Sequence, residues 1–392
     1  MPLRSARATA VAFVTFATFT DAIAYSIAVP VLPDLSRKLG ASPTMIGLLF
    51  ASFGLTLLLV SIPMGAMSDR IGRRGPMLGG LVALAASTLL FAFADSLPWL
   101  FAARLVQGGA DAVTWVVGFA LLADLYGPKE RGGVMGMVMS GATFAFMIGP
   151  TLGGWLYEIG GIRTPFLAVA ALAVLCTIGF TWLRLPTERA ESESVSIFAV
   201  LRIPAVAACT AAVVAASATL SMLEPVLPLF LSSTLGVGPA RIGMLFGAGA
   251  VTSMAMHPLY GRLADRWGGR PLTMIGLVLT ACVVPIVSLA WSYQSAVLFY
   301  MLLASTVAIV ITPSLTYMAE ATSAAGVESY GVGYGLYNMA WGCGLLAGPA
   351  IGGFAFERIG FPSLALIWAP CVISITLLLA RVKSRVPHGG HL

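Results

Sequence analysis

The sequence predicts an all-α membrane protein with twelve transmembrane helices in two pseudo-symmetric six-helix bundles. Three observations carry that prediction. The 392-residue chain is 58% hydrophobic and only 10% charged, with a mean hydropathy of +0.93. About a quarter of an ordinary soluble domain is charged, so this chain cannot cover a globule with polar surface. Apolar runs of roughly 20 residues or more, the length that crosses a bilayer, recur from end to end. Whole phrases of sequence also return about half a chain length later.

Marked between charged residues and Gly/Pro breaks, the runs of the first half fall at 8–33, 43–67, 76–94, 98–123, 132–157 and 164–185. Those of the second half fall at 204–232, 239–264, 271–291, 293–319, 329–356 and 361–380. Each is expected to be a helix, because backbone groups in hydrocarbon must find their hydrogen-bond partners inside the segment. The first run is too long for a signal-peptide core and has no small-residue cleavage site, so it reads as a span. Basic residues set the orientation. With both termini inside, sixteen of the 22 Lys and Arg residues lie on the cytoplasmic face, five lie on the opposite face, and Arg104 lies within a span.

Repetition sets the domain plan. PVLPDLSRKLGASPTMIGLLF from Pro30 answers PVLPLFLSSTLGVGPARIGMLF from Pro225. GAMSDRIGRR at 65–74 answers GRLADRWGGR at 261–270, and GPTLGG at 149–154 answers GPAIGG at 348–353. The expected domains are therefore residues 1–185 and 204–392. A cytoplasmic linker at 186–203 contains the polar stretch PTERAESESVS. Parallel halves of this kind enclose a midplane site in secondary transporters.

Several function classes are excluded. The net charge of +6 follows from the membrane orientation, and no clustered basic face exists to bind nucleic acid. Cys176, Cys209, Cys282, Cys343 and Cys371 all fall in spans without metal or disulfide spacing. Asn338 is the only asparagine, so there is no glycosylation sequon. A bacterial plasma (inner) membrane is the simplest location. There is no Walker motif and no sign of covalent or redox chemistry, so neither an enzyme, an ATP-driven pump nor a cofactor is expected; a proton gradient would be the driving force.

GAMSDRIGRR resembles the loop signature of the major facilitator superfamily. RLVQGGADA in the fourth span is similar to its Arg-x-x-Gln-Gly motif, and GPTLGG to the motif associated with proton-driven antiporters. Over nearly the whole chain, TDAIAYSIAVPVLP, IGLLFAS, ERGGVMGM, MLEPVLP and SYGVGYGLYNMAWGCGLLAGP resemble the twelve-helix drug:proton antiporters, on the branch of the vesicular monoamine and acetylcholine transporters. That resemblance implies the major facilitator fold, with spans one, four, seven and ten lining a central cavity. It also implies an acid in MLEPVLP that contacts an amine. The vesicular branch carries a lysine in the second span and acids in the tenth and eleventh. Here those positions hold Phe53, Ala308 and Asn338.

Only three acids lie inside spans: Asp21, Asp111 and Glu224, in spans one, four and seven. A charge at the bilayer centre costs about 3 kcal/mol on insertion scales, so an acid placed there is a functional candidate by default. Burial disfavours an ionised carboxylate and a neighbouring cation favours it. Asp21 is thus expected to bind protons and a cationic substrate in turn; a structural ion pair is the alternative. Glu224 lies eight residues beyond the position matching Asp21, roughly 12 Å nearer the outer face, and is either an amine contact or an interfacial acid before Pro225. Arg104 stands two turns before Asp111 on the same helix face and is expected to hydrogen-bond toward the first helix. Asp111 is either a second proton site or a counter-charge to Arg104.

Tyr25, Trp115, Tyr334, Tyr337 and Trp341, with Asn338, are candidates for a substrate cavity with cation–π character, packing being the alternative for each aromatic residue. His257 reads as a packed helix residue. Asp69, which can cap a helix N-terminus, is expected to join Arg73 and Asp124 in a gating latch that holds the outward-open state. Gly149, Gly153 and Gly154 permit close helix approach beside Pro150; a dimerisation face is the alternative. The expected function is a proton-coupled antiporter that exports cationic amphiphilic drugs or monoamine-like cations. Its partners would be the small organic cation, protons and lipid, with no nucleic acid, and it would act as a monomer. A facilitator or proton symporter for a small neutral solute is the alternative from the same fold, and a non-transporting receptor or scaffold the alternative from another class.

Overall fold

The structure is a computed structural model that describes residues 3–182, 200–323 and 330–381, with side chains over 7–127, 130–182, 200–323 and 335–381. The expected linker at 186–203 lies outside the described residues except for its last four positions. Every regular element described is helical. In chain order these are α1 (Leu3–Ser26), α2 (Ala28–Lys38), α3 (Pro43–Ile71), α4 (Arg74–Phe93), α5 (Leu97–Leu125), α6 (Pro128–Gly160) and α7 (Arg163–Trp182). There follow α8 (Pro204–Leu235), α9 (Pro239–Trp267), α10 (Gly269–Val287), α11 (Tyr293–Ser323) and α12 (Tyr330–Arg381).

Among the described residues, eleven helical segments are long and apolar enough to cross a membrane. The first, Arg7–Lys38, combines α1 and α2, which meet at a one-residue turn at Ile27 just before VPVLP. The last, Gly335–Arg381, is long enough for two spans and turns at Gly360 (φ 73°, ψ 168°). Only glycine adopts that backbone without strain. Counting its two arms separately gives the twelve spans expected.

The repeat is visible in the backbone. Among the described residues, the six with positive φ are glycines that form three pairs across the repeat: Gly40 with Gly236, Gly72 with Gly268, and Gly161 with Gly360. The same packing device also recurs. Ser26 of α1 donates to the Ala145 carbonyl of α6 (3.4 Å), and Ser221 of α8 donates to the Gly344 carbonyl of α12 (2.9 Å). A Cβ added at Gly149 would overlap the Ser26 side chain, and one at Gly348 would overlap that of Ser221. Helices approach this closely in lipid because small residues let their backbones nearly touch. Gly153 likewise lies against the Ile27 carbonyl, and Gly154 against that of Pro239, while the Pro150 carbonyl faces Gly243.

Contacts divide the chain into two compact units, 1–192 with 224–247, and 193–223 with 248–392. These units do not coincide with the repeat halves read from the sequence, because residues 224–247 pack with the first half. In the first unit Arg37 donates to Ser232 (3.3 Å), Thr151 to the Gly243 carbonyl (3.3 Å), and the Ala240 amide to Glu158 (3.3 Å). Its core is built of small residues around α1. Ala22, Ile23, Ala24 and Ile27 meet Leu84 and Ala85 of α4, Ala110 of α5, Ala142 and Ala145 of α6, and Val169 and Ala173 of α7. Large apolar side chains such as Leu59, Ile62, Trp155 and Leu175 point outward, each more than half exposed, as a lipid solvent allows.

Candidate functional site

The first unit gathers the intramembrane charges. Asp21 sits mid-way along the most deeply buried of these spans, beside the packed alanines of α1, and the residue is 1% exposed. On α1 the hydroxyls of Thr18, Thr20 and Ser26 turn back to the carbonyls four residues before them. The Asp21 carboxylate instead looks across to α5. Trp115 Nε1 donates to Asp21 Oδ2 at 3.0 Å, and the Asp111 carboxyl lies within hydrogen-bonding reach of that of Asp21. Asp111 is partly exposed, whereas Asp21 is not.

One turn along α1, the Tyr25 hydroxyl donates to Glu224 Oε2 of α8 at 2.5 Å. Its ring lies 4.9 Å from the guanidinium carbon of Arg104, with Phe50 at 4.8 Å and Phe53 at 5.3 Å. Arg104 is wholly buried, and its Nη1 donates to Gln107 Oε1 (2.6 Å). It reaches the first helix through the face of the Tyr25 ring, not through the hydrogen bond the sequence suggests. The physical reason is the aromatic box, which takes the cation on three ring faces and leaves the nearest oxygen to Gln107. Phe53, where the resemblance places a lysine, is one wall of that box.

A single cluster thus holds Asp21, Asp111, Trp115, Arg104, Tyr25 and Glu224. No ion pair is made by Asp21, Asp111, Glu224 or Arg104 among the described residues; the ion pairs found lie at the helix ends. Sequence reasoning missed Gln107, Phe50 and the role of Phe53. Gln107 stands in the quoted RLVQGGADA phrase and was the available signal. For the two phenylalanines nothing distinguished them from packing residues.

The other candidates stand elsewhere. Tyr337 is buried in a cluster with Val213 and Ala340, against which Trp341 packs, and its hydroxyl donates to the Ile311 carbonyl (3.3 Å). Asn338 is partly exposed in the same helix, while the Tyr334 side chain lies outside the described residues. His257 Nδ1 is 2.6 Å from the Thr312 hydroxyl, the helix-to-helix tie of a packed residue. Two cavities are defined within the first unit. One of about 230 Å³ is lined by Pro30, Asp34, Arg37, Pro228 and Ser232. The other, an apolar cleft of about 470 Å³, runs along Met64, Gly79, Gly80 and Gly109. Neither includes Asp21.

Asp69, Arg73 and Asp124 come together at the junction of α3 and α4. Arg73 Nε donates to Asp124 Oδ2 at 2.8 Å, and its Nη1 donates to Asp69 Oδ1 at 2.5 Å and to Ser68 Oγ at 2.7 Å. Burial disfavours the Arg73 charge, but the two carboxylates outweigh it and hold the guanidinium above its ordinary pKa. Arg73 is itself the residue that precedes α4. Asp69 therefore acts at that helix end through Arg73.

The profile of the Major Facilitator Superfamily matches residues 14–214 and 209–391. The Synaptic vesicular amine transporter of Mus musculus is 28% identical over 342 residues, 86% of this chain and 66% of that protein. The Chromaffin granule amine transporter of Homo sapiens is 28% identical over 327 residues, 83% and 62%. The Vesicular acetylcholine transporter of Rattus norvegicus is 30% identical over 361 residues, 87% and 67%. The chain thus spans about two thirds of the length of these relatives. Among solved structures, a bacterial homolog of the human lysosomal transporter Spinster, inward-facing and occupied, superposes with a TM-score of 0.83 at 16% identity over 98% of each chain. The human organic anion transporter MFSD10 (TETRAN) gives 0.70 at 20% identity, over 97% of this chain and 100% of that one. At these identities both likenesses are of fold.

Proposed function

Because the chain belongs to the Major Facilitator Superfamily, we propose that this multi-pass membrane transporter exchanges protons for organic cations, with Asp21 as the carboxylate both bind in turn. The observation that carries the reading is the placement of Asp21. It is a carboxylate sunk in the middle of a transmembrane helix, facing neither lipid nor a fixed cation, with a tryptophan donor and a second acid beside it. An acid kept at such cost has a use in its alternate charge states. The similarity to amine transporters supports a cationic amphiphile or monoamine-like compound as cargo.

Glu224 is the second cation contact, one that Tyr25 occupies while no cargo is bound. Cargo arriving at Glu224 displaces the phenol, and Tyr25, Trp115, Asn338, Tyr334, Tyr337 and Trp341 are the residues to test for cargo contacts. Trp115 must swing from Asp21 for cargo to reach that carboxylate, since Asp21 is sealed in the conformation described. The Asp69–Arg73–Asp124 cluster is the latch that sets how readily the transporter changes state. With basic residues predominantly on one face, both termini are placed inside a plasma membrane and transport runs outward. The protein works as a monomer and draws on no cofactor, only on the proton gradient; each unit of pH difference supplies about 1.4 kcal/mol per proton.

Purified protein in proteoliposomes, given an imposed pH gradient and labelled amines or cationic dyes, tests this directly. Asp21→Asn is expected to fold, to bind poorly and to lose gradient-driven flux. Full flux in that variant removes Asp21 from the mechanism and favours a facilitator for neutral solutes.

A further inference from the structure

Three acids and one cation share the interior of the first unit. Arg104 has no carboxylate within ion-pairing distance among the described residues, and its Nε and Nη2 have no hydrogen-bond partner. Its charge is balanced through space, by Asp111 and Glu224 among others. Asp21 and Asp111, ninety residues apart in sequence, bring their carboxyl groups into hydrogen-bonding reach with Trp115 beside both. Two ionised carboxylates cannot rest at that distance in a medium of low dielectric, whereas a carboxyl and a carboxylate form a short, strong hydrogen bond. Charges sealed away from water must also come close to cancelling.

We propose that Asp21 and Asp111 work as one acid pair that keeps a proton between its carboxyl groups and exchanges a second for the cationic cargo. The inference rests on the exchange reading above and extends it by assigning the exchanged proton to a pair of residues. In the proton-loaded state both acids of the pair are neutral, and the Glu224 charge offsets Arg104. In the cargo-loaded state the pair holds one proton, and its single negative charge offsets the cargo. One proton leaves for bulk water as one monovalent cation enters, so charge is conserved at each exchange. The retained proton keeps the two helices tied in both states, and it spares the site from holding two bare carboxylates.

The surroundings fit this scheme. The titratable groups that act on the pair are Arg104 on α5 and Tyr25 on α1, both through Asp111; Glu224 on α8 acts on those two, and Cys176 on α7 lies against Thr20. From α4 and α6, α1 is met by Leu84, Ala85, Ala142 and Ala145, so neither helix supplies a competing proton donor there. Glu224 accepts from the Tyr25 hydroxyl, which holds its carboxylate apart from the pair. Trp115 lies against both acids, and Asp111, the partly exposed member of the pair, is the route to water.

Infrared difference spectroscopy of the detergent-purified full chain tests the pair, with Glu224→Gln measured beside it to identify the signal of the third acid. The carboxyl C=O signal is expected to titrate in two separate steps. Saturating tetraphenylphosphonium is expected to abolish the signal of one carboxyl and leave the other. Asp111→Asn and Asp21→Asn each keep a hydrogen-bonding amide in place, and each is expected to collapse the two steps into one. Asp111→Glu restores both if the carboxyl itself matters. Two steps persisting in Asp111→Asn, or a single step in the parent protein, overturns the pair. Two steps with no carboxyl signal lost to tetraphenylphosphonium overturns the exchange reading instead, and with it the cargo half of the proposal.

Discussion

Ser26 and Ser221 stand at the same place in the two repeats and meet Gly149 and Gly348 in the same way. Five residues earlier the first repeat carries Asp21, while the second carries Ala216. That contrast runs through both compact units. The first buries Asp21, Arg104 and Gln107, whereas among the described residues the second buries no acidic, basic or amide side chain. The repeat has kept the backbone packing of both copies but charged the position of Asp21 in only one; the intramembrane acid of the second copy, Glu224, packs with the first unit. Packing glycines are needed wherever two helices touch. A buried charge is costly everywhere and survives only where it has a task.

The same contrast holds at the helix-end motif. Arg74 donates to the Thr181 carbonyl (2.7 Å) and Arg270 to the Leu379 carbonyl (2.6 Å), equivalent ties to the last helix of each half. Arg73, however, has Gly269 as its counterpart. A Cβ at 269 would lie 2.6 Å from the Pro313 carbonyl oxygen and the Tyr317 amide, so the second copy has no room for the arginine. Glu320, the counterpart of Asp124, makes no ion pair among the described residues. The latch is built once.

The largest effect expected concerns the charged centre. Asp21→Asn should reduce gradient-driven flux by about two orders of magnitude, since removing an interaction specific to the working state costs on the order of 3 kcal/mol. Adding Ala216→Asp should not restore it, because the equivalents of Asp111 and Trp115 in that repeat are Val307 and Ile311. Recovery of flux in the double variant would show the halves to be interchangeable. Next come Gly149→Val and Gly348→Val, each expected to destabilise by about 3 kcal/mol through overpacking. Matched losses in thermal melting support equivalent packing, and a large inequality breaks it.

Smaller effects fall at the motif. Arg73→Ala should slow exchange about tenfold without altering cargo affinity, from the loss of charged hydrogen bonds worth about 1.5 kcal/mol. Glu320→Ala should change the rate by less than about twofold, as unpaired surface charges do. If binding measurements show altered cargo selectivity in Arg73→Ala, the latch role fails. The smallest effect is shared: Arg74→Gln and Arg270→Gln should each cost about 1 kcal/mol, measured by chemical unfolding in detergent.

Much of this plan is legible from residue order. The spans follow from apolar length, and the repeat from recurring phrases. Asp21, Asp111, Glu224 and Arg104 stand out because a charge is conspicuous in an apolar run. The aromatic box was not legible, because Phe50 and Phe53 look like any phenylalanine in a span until Arg104 is placed among them. Nor was the bond from Tyr25 to Glu224, which joins residues 199 positions apart. Helix ends also escaped: a turn at Ile27 splits α1 from α2 just before VPVLP in the first copy, while the helix runs unbroken through EPVLP in α8 of the second.

Lipid as the solvent made the sequence sufficient for the helices, their number and their pairing into repeats, because hydrocarbon forces every backbone group to be satisfied locally. It could not decide which acids touch or what encloses the arginine. Those outcomes depend on how deeply side chains of successive helices interleave, a matter of fractions of a turn between segments far apart in the chain. Only the packed structure resolves it, and it placed Asp111 against Asp21 and Tyr25 between Arg104 and Glu224.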